Sequence, residues 1–195
     1  MSRQYHHGDL RNALLNGAEE MIETSGIDSL SLRKLADNVG VSRTALYHHF
    51  SDKSALLCAI TQRQFERWND FQRQQFDEGA PTTEQIRMVV QNYLEQATQR
   101  PMFYDLMFGA VVWQQGTPDE ALRATAYEAF SDFVKFIERW QRDGVITTKI
   151  PASQLSRVIW GMMHGLARLL IDGIYIDSKQ IEEMSNTVAK LLSTS

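Results

Sequence analysis

Cysteine is almost missing from this chain. Cys58 stands alone among 195 residues, which excludes an internal disulfide and a thiolate metal cluster. Only 4 prolines and 11 glycines interrupt the sequence, and strand-like alternation of apolar and polar residues is nearly absent. No run of about 18 apolar residues occurs, which argues against a membrane span. The opening "MSRQYHHGDLRN" lacks the apolar stretch of a secretory signal. Together these absences predict a protein of the reducing cytoplasm. An excess of positive charge is also missing: 20 Lys+Arg stand against 24 Asp+Glu, a net charge of −4. Residues 1–54 carry Arg3, Arg11, Arg33, Lys34, Arg43 and Lys53 against Asp9, Glu19, Glu20, Glu23, Asp28, Asp37 and Asp52. Any electropositive surface there must come from arrangement rather than from totals.

What is present is helical periodicity. Leu10, Ala13, Leu14, Gly17, Ala18, Met21 and Ile22 recur at helical spacing, and Thr24-Ser25-Gly26 ends the pattern. A short second helix starts near Ser31, whose hydroxyl caps it, with Leu32, Leu35 and Ala36 turned inward. Gly40 supplies the positive φ that stops a helix within one residue. Ser42 caps a third helix, "SRTALYHHF", with Ala45 and Leu46 inside. Ser51-Asp52-Lys53 then leads into a long helix over about 52–76, with Leu56, Leu57, Ile60, Phe65, Trp68 and Phe71 as its apolar positions. "DEGAPTT" (77–83) breaks the pattern, and further helices are predicted over about 83–99, 101–113, 118–143, 151–173 and 178–193. The expectation is an all-α chain: an N-terminal three-helix, helix-turn-helix domain at 1–52, joined to a C-terminal helical bundle at 53–195.

Two short helices joined by "NVGV" fit a helix-turn-helix, whose turn often contains glycine. In such a unit the second helix enters the major groove with its first residues at base edges. Here those residues are Ser42, Arg43 and Thr44. An arginine bonds bidentately to guanine O6 and N7, and a threonine methyl meets a thymine methyl. Tyr47 and His48 follow one turn later, while His49 and Lys53 flank the groove, where phosphate contacts fix register without reading sequence. The bland alternative is a plain surface helix of a bundle. Metal binding by His48-His49 is disfavoured, because helix neighbours point about 100° apart.

Residues 31–57, "SLRKLADNVGVSRTALYHHFSDKSALL", resemble the DNA-binding signature of the TetR family of bacterial repressors. Leu35-Ala36, Gly40-Val41-Ser42, Leu46-Tyr47, Phe50, Lys53 and Leu56 match at that family's spacing, and the resemblance covers roughly residues 8–58. It implies phosphate contacts from Tyr47 and Lys53, base contacts from Arg43 and Thr44 with help from Arg33, and a structural plug at Phe50. The N-terminal arm offers only Arg3, His6, His7 and Arg11 as cations. The family's C-terminal part pairs two subunits and encloses a ligand.

Within that C-terminal part, "WGMMHGLARLL" (160–170) resembles the Trp-x-x-x-His-Gly signature of one subgroup, through Trp160, His164 and Gly165. Gly161 and Gly165 repeat at four residues, giving a smooth strip beside Met162 and Leu169. With Met184, Val188 and Leu191 of "MSNTVAKLL" they form the expected face of an isologous dimer; the alternative is that both helices fold back on their own core. Candidate ligand contacts are Trp68, Phe71, Tyr93, Phe103, Met107, Phe108, Trp113, Phe130 and His164, because methionines and aromatics line adaptable sites. Such stripes are also ordinary core.

The expected function is a homodimeric repressor that binds a palindromic double-stranded operator and is released by a small hydrophobic or aromatic effector, with no cofactor, metal or membrane. The alternative within DNA binding is a protein controlled by a protein partner, or one organising the chromosome, without a small-molecule effector. An enzyme is the rival from another class. Its one thiol, in "ALLCAI", has the context of inert packing, and Asp105, Asp172 and His164 show no spacing for acid–base work.

Overall fold

The computed structural model describes residues 7–76, 82–175 and 178–194. Arg3, His6 and residues 77–81 of the break at "DEGAPTT" lie outside the described residues. The helices are α1 (His7–Ser25), α2 (Leu32–Val39), α3 (Arg43–Tyr47), α4 (Lys53–Phe76), α5 (Thr83–Gln99), α6 (Pro101–Phe108), α7 (Ala110–Trp113), α8 (Glu120–Arg142), α9 (Ala152–Ile171) and α10 (Ser178–Leu192). A single 3-10 turn, Ile27–Ser29, follows α1. Among the described residues there is no strand, only an isolated bridge between Ile146 and Ser193. No described helix is long and apolar enough to cross a membrane.

The chain divides into two compact units. One comprises Met1–Glu66 and Met102–Thr125, the other Arg67–Pro101 and Ala126–Ser195. In the first unit Leu14, Leu15, Ala18 and Ile22 of α1 are buried with Leu35 and Ala36 of α2, Leu46 of α3, and Leu56 and Ile60 of α4. The caps form as the side chains dictate: Ser31 Oγ accepts from Lys34 N–H at 3.2 Å and Ser42 Oγ from Ala45 N–H at 3.1 Å. At the next start Asp52 is the cap, its Oδ1 accepting from Ala55 N–H at 2.8 Å. Gly40 takes φ 75°, and Val41 N–H closes back on Ala36 C=O at 3.0 Å, so the chain leaves α2 in one residue. The same unit contains a partly buried ion pair: Arg63 Nε–H donates to Glu19 Oε1 at 2.9 Å, and Glu19 also accepts from Gln64 at 2.6 Å.

Two expected elements differ from those observed. The predicted helix over 101–113 is broken at Gly109 into α6 and α7. Gly109 N–H bonds Asp105 C=O at 2.7 Å, and a Cβ at Gly109 would lie 2.3 Å from that oxygen. The third helix ends at Tyr47 rather than running to Phe50, with His48 as its C-cap.

In the second unit α5 packs on both α9 and α10. Arg73 of α4 reaches α8, bonding Asp132 at 2.9 Å and Glu128 at 2.5 Å. Trp140 Nε1–H donates to Gln85 at 3.2 Å, tying α8 to α5. The C-terminus is stitched down as well, since Thr194 Oγ1–H donates to Gly144 C=O at 2.8 Å and Ser193 Oγ–H to Thr83 Oγ1 at 2.9 Å.

Candidate nucleic-acid interface

Helix α3 is five residues long, too short to persist alone, so its placement depends on packing. Leu46 is its buried residue, 0% exposed, while Ser42, Arg43, Thr44, Tyr47 and His48 are exposed. Tyr47 is 54% exposed, a level that a plain core aromatic would not show. Arg33 and Lys34 on α2 are exposed too. Among the described residues neither Arg33 nor Arg43 forms an ion pair, so both guanidinium groups are available to a polyanion. His49 is partly buried and has partners within the chain.

Lys53 behaves differently from an ordinary surface lysine. Its Nζ donates to Ile27 C=O at 3.0 Å, across to the 3-10 turn that the sequence reading did not foresee. One of three ammonium donors is thus used, and the charge is held at the start of α4 with two donors left. Arg11, expected in an N-terminal arm, lies instead in α1 and is engaged, its guanidinium 5.4 Å from the Phe50 ring centroid. Phe50 itself is buried at 2% exposure.

These placements make Arg43 and Lys53 separable by mutation. Arg43→Ala is expected to cost about 1–3 kcal/mol at a cognate duplex and to relax preference at one base pair. Lys53→Ala is expected to weaken all duplexes alike and to reduce the salt slope of binding by about one. Fluorescence anisotropy against salt, on cognate and scrambled duplexes, measures both.

The expected ligand-contact residues fall into separate groups. Phe103, Met107, Phe108 and Trp113 belong to the first unit, where the Phe108 and Trp113 rings meet Phe65 edge-on at 5.6 and 6.2 Å. Trp113 Nε1–H donates to Met107 C=O at 2.6 Å. Trp68, Phe71, Tyr93, Phe130 and His164 belong to the second unit. Trp68 and Tyr93 are T-shaped at 5.0 Å, and Phe130 lies 5.5 Å from Trp160, which is 6.5 Å from His164. Of the nine, Trp68, Tyr93, Phe103 and Met107 are buried in their own units and the others partly so.

Of the expected dimer face, Gly161, Gly165 and Leu191 are exposed, and Met162, Leu169, Met184 and Trp160 partly buried. A Cβ at Gly161 or Gly165 would meet nothing within 4 Å. Val158, which the sequence reading passed over, continues the strip at 68% exposure. Val188 differs from them: at 3% exposure it is already buried within its own unit.

His164 is half-buried, and burial, followed by the neighbouring Arg168 charge, holds its imidazole below the ordinary histidine value. The unfolded chain therefore takes up a proton near pH 6.5 while the folded chain does not, so this residue lowers stability as pH falls below about 6.5. His164→Gln is expected to flatten the decline of melting temperature between pH 7.5 and 5.5. An unchanged decline would contradict that assignment. Burial likewise pushes the Cys58 thiol above its ordinary value, disfavouring the thiolate. Among the described residues no group of three His, Cys, Asp or Glu side chains is placed to hold a metal ion.

Comparison with known proteins agrees with this geometry. Residues 14–60 match the model of bacterial regulatory proteins of the tetR family, and residues 86–192 match that of the tetracyclin repressor-like C-terminal domain, over half of the chain. The chain belongs to the TetR family. TetR-family proteins are DNA-binding transcriptional regulators and generally not enzymes. A transcriptional repressor of Mycobacterium tuberculosis is 37% identical over 62 residues, 32% of this chain and 33% of that protein. The class A tetracycline repressor of Escherichia coli is 41% identical over 51 residues, 26% of this chain and 24% of that protein. The chain thus matches a third or less of the length of these repressors. The nucleoid occlusion factor SlmA of Vibrio cholerae is 32% identical over 167 residues, 81% of this chain and 84% of that protein.

Solved structures extend the likeness to the whole TetR-family fold. A Rhodococcus sp. RHA1 protein of unknown function has a TM-score of 0.81 at 27% identity, covering 99% of this chain and 100% of that one. A TetR-family transcriptional regulator from Pectobacterium atrosepticum has a TM-score of 0.75 at 20% identity, covering 100% and 99%, a likeness of fold alone.

Proposed function

We propose that this TetR-family regulator is a homodimeric repressor that occupies a palindromic operator and leaves it when a small hydrophobic or aromatic effector binds. Residues 1–52 would read DNA and 53–195 would dimerise and take the effector. Arg43 and Thr44 would face bases, with Arg33 beside them. Tyr47, His48, His49 and Lys53 would sit on phosphates, and Ser42 would fix the helix start.

The observation that carries the reading is α3 itself: one buried leucine anchors it, and every side chain able to read a duplex is exposed. Pairing is supported by the bare strip of Val158, Gly161 and Gly165 on α9, where glycines admit close approach of a second helix, and by the exposure of Leu191 on α10. On this reading Trp160, His164 and Gly165 mark the Trp-x-x-x-His-Gly subgroup. Helix α4 is the lever, being one continuous helix whose residues belong to both units. Release then requires an effector that binds the DNA-free form more tightly.

A second reading keeps the dimer and the duplex but replaces the effector with a protein partner or a role in organising the chromosome. The 167-residue match to a nucleoid occlusion factor favours it. Sedimentation of the free protein and a thermal-shift screen with a broad small-molecule library separate the two. Twice the chain mass and a stabilising compound that weakens DNA binding support the repressor. A dimer that no compound stabilises favours the second reading, and a monomer contradicts both.

A further inference from the structure

The second unit contains a buried oxygen with no donor. Gln72 lies on α4, and its Oε1 is buried without a hydrogen-bond partner among the described residues. Its direction follows from its neighbours on the helix. Trp68 faces α5 through Tyr93, and Gln75 does so by accepting from Asn92 at 2.9 Å. Arg73 faces α8 through Asp132. At 3.6 residues per turn Gln72 lies roughly 40° from Trp68 and roughly 100° from Arg73. It therefore points into the wedge where α4, α5 and α8 meet.

Side chains of α8 and α5 are directed to the same wedge. On α8, Phe136 lies between Asp132, which faces α4, and Trp140, which faces α5. On α5, Val89 lies between Gln85, bonded to Trp140, and Tyr93, packed on Trp68. Phe136 and Val89 are buried at 9% and 8% exposure. Gln72 thus shares the wedge with these apolar side chains, and its carboxamide oxygen receives no hydrogen bond there. A buried acceptor in such surroundings is unfavourable until a donor reaches it.

We infer that the effector of this protein is an uncharged aromatic or alicyclic molecule bearing one hydroxyl or N–H, which it donates to Gln72 Oε1 while its apolar body lies against Trp68, Val89, Tyr93 and Phe136. The inference rests on the effector reading above and adds the chemistry of recognition. Apart from the rim, where Arg73 pairs with Asp132 and Glu128 and Asp132 with Lys135, the groups that define the wedge are neutral, and the rim charges are already paired with one another. Specificity follows from asymmetry: a site with a buried acceptor rejects the analogue whose donor is capped, because the oxygen then stays unpartnered.

The test uses the full-length protein, 2-naphthol and 2-methoxynaphthalene, which differ in the donor alone. Binding is read by isothermal calorimetry and by melting temperature, for wild type and Gln72→Leu. The wild type is expected to prefer 2-naphthol by at least about tenfold, and Gln72→Leu to bind both probes alike. Without ligand, Gln72→Leu is expected to melt roughly 2–4 °C higher than wild type, because an unsatisfied oxygen is gone. Equal binding of the two probes by wild type overturns the inference and leaves the effector reading standing. So does a lower melting temperature for ligand-free Gln72→Leu, since a structural hydrogen bond would then have been lost. Failure of both probes to bind also overturns it; the effector reading falls with it only if the broad screen above is blank.

Discussion

Leu46→Ala is expected to destabilise the helix-turn-helix of α2 and α3, the reading head of the proposed repressor, by about 2–5 kcal/mol and to abolish operator binding at concentrations where wild type is saturated. Leu46 is fully buried, and in a five-residue helix it is the buried anchor that stands against the entropy of ordering Arg43, Thr44 and Tyr47. Its carbonyl also accepts from His49 N–H at 2.9 Å and Phe50 N–H at 3.0 Å, so loosening it releases the turn into α4 as well. A domain holds about 5–15 kcal/mol in total, so this one truncation removes a large share. Circular dichroism melts and an operator-binding titration on the variant check it. A variant that melts and binds as wild type would mean that Leu46 is not the anchor.

Gly165→Arg is expected to give a folded monomer whose operator affinity falls on the order of 10²- to 10⁴-fold, the range over which linking two binding modules raises affinity. The position is exposed and open, so the arginine is accommodated in the isolated chain. Against a second α9 it places a charge and a long side chain where two backbones would approach. Gly161→Arg tests the same strip four residues away. Sedimentation shows the oligomeric state, and circular dichroism confirms unchanged helicity. A dimer with wild-type operator affinity in both variants would place the pairing surface elsewhere.

Much of the reading head was legible because its signals are local. Ser31, Gly40 and Ser42 act within four residues of their own positions, where hydroxyl caps and a left-handed glycine leave little choice. The long helices were legible through apolar spacing, and α5 and α10 fall within a residue of their predicted bounds. What escaped depends on distant partners. Lys53 reaches the carbonyl of Ile27, 26 residues away, across a 3-10 turn too short to have periodicity. The Arg63–Glu19 pair joins residues 44 apart, and each reads alone as a solvated charge. The break at Gly109 is invisible to apolar spacing because apolar residues continue on both sides of it. The aromatic stripes were legible as apolar, but periodicity cannot assign Phe103 and Trp113 to one unit and Trp68 and Phe130 to the other.

Selection of bound duplexes from a random DNA pool by the full-length protein probes the reading head most directly. An exposed α3, carried twice by a symmetric dimer, predicts an inverted repeat whose half-sites are centred about 10–10.5 base pairs apart or a multiple of that. The same selection with Arg43→Ala should lose preference at one symmetric pair of positions and keep the spacing. A pool that enriches no sequence, or one enriched identically by wild type and Arg43→Ala, would contradict the assignment of residues 43–47 as the helix that reads DNA.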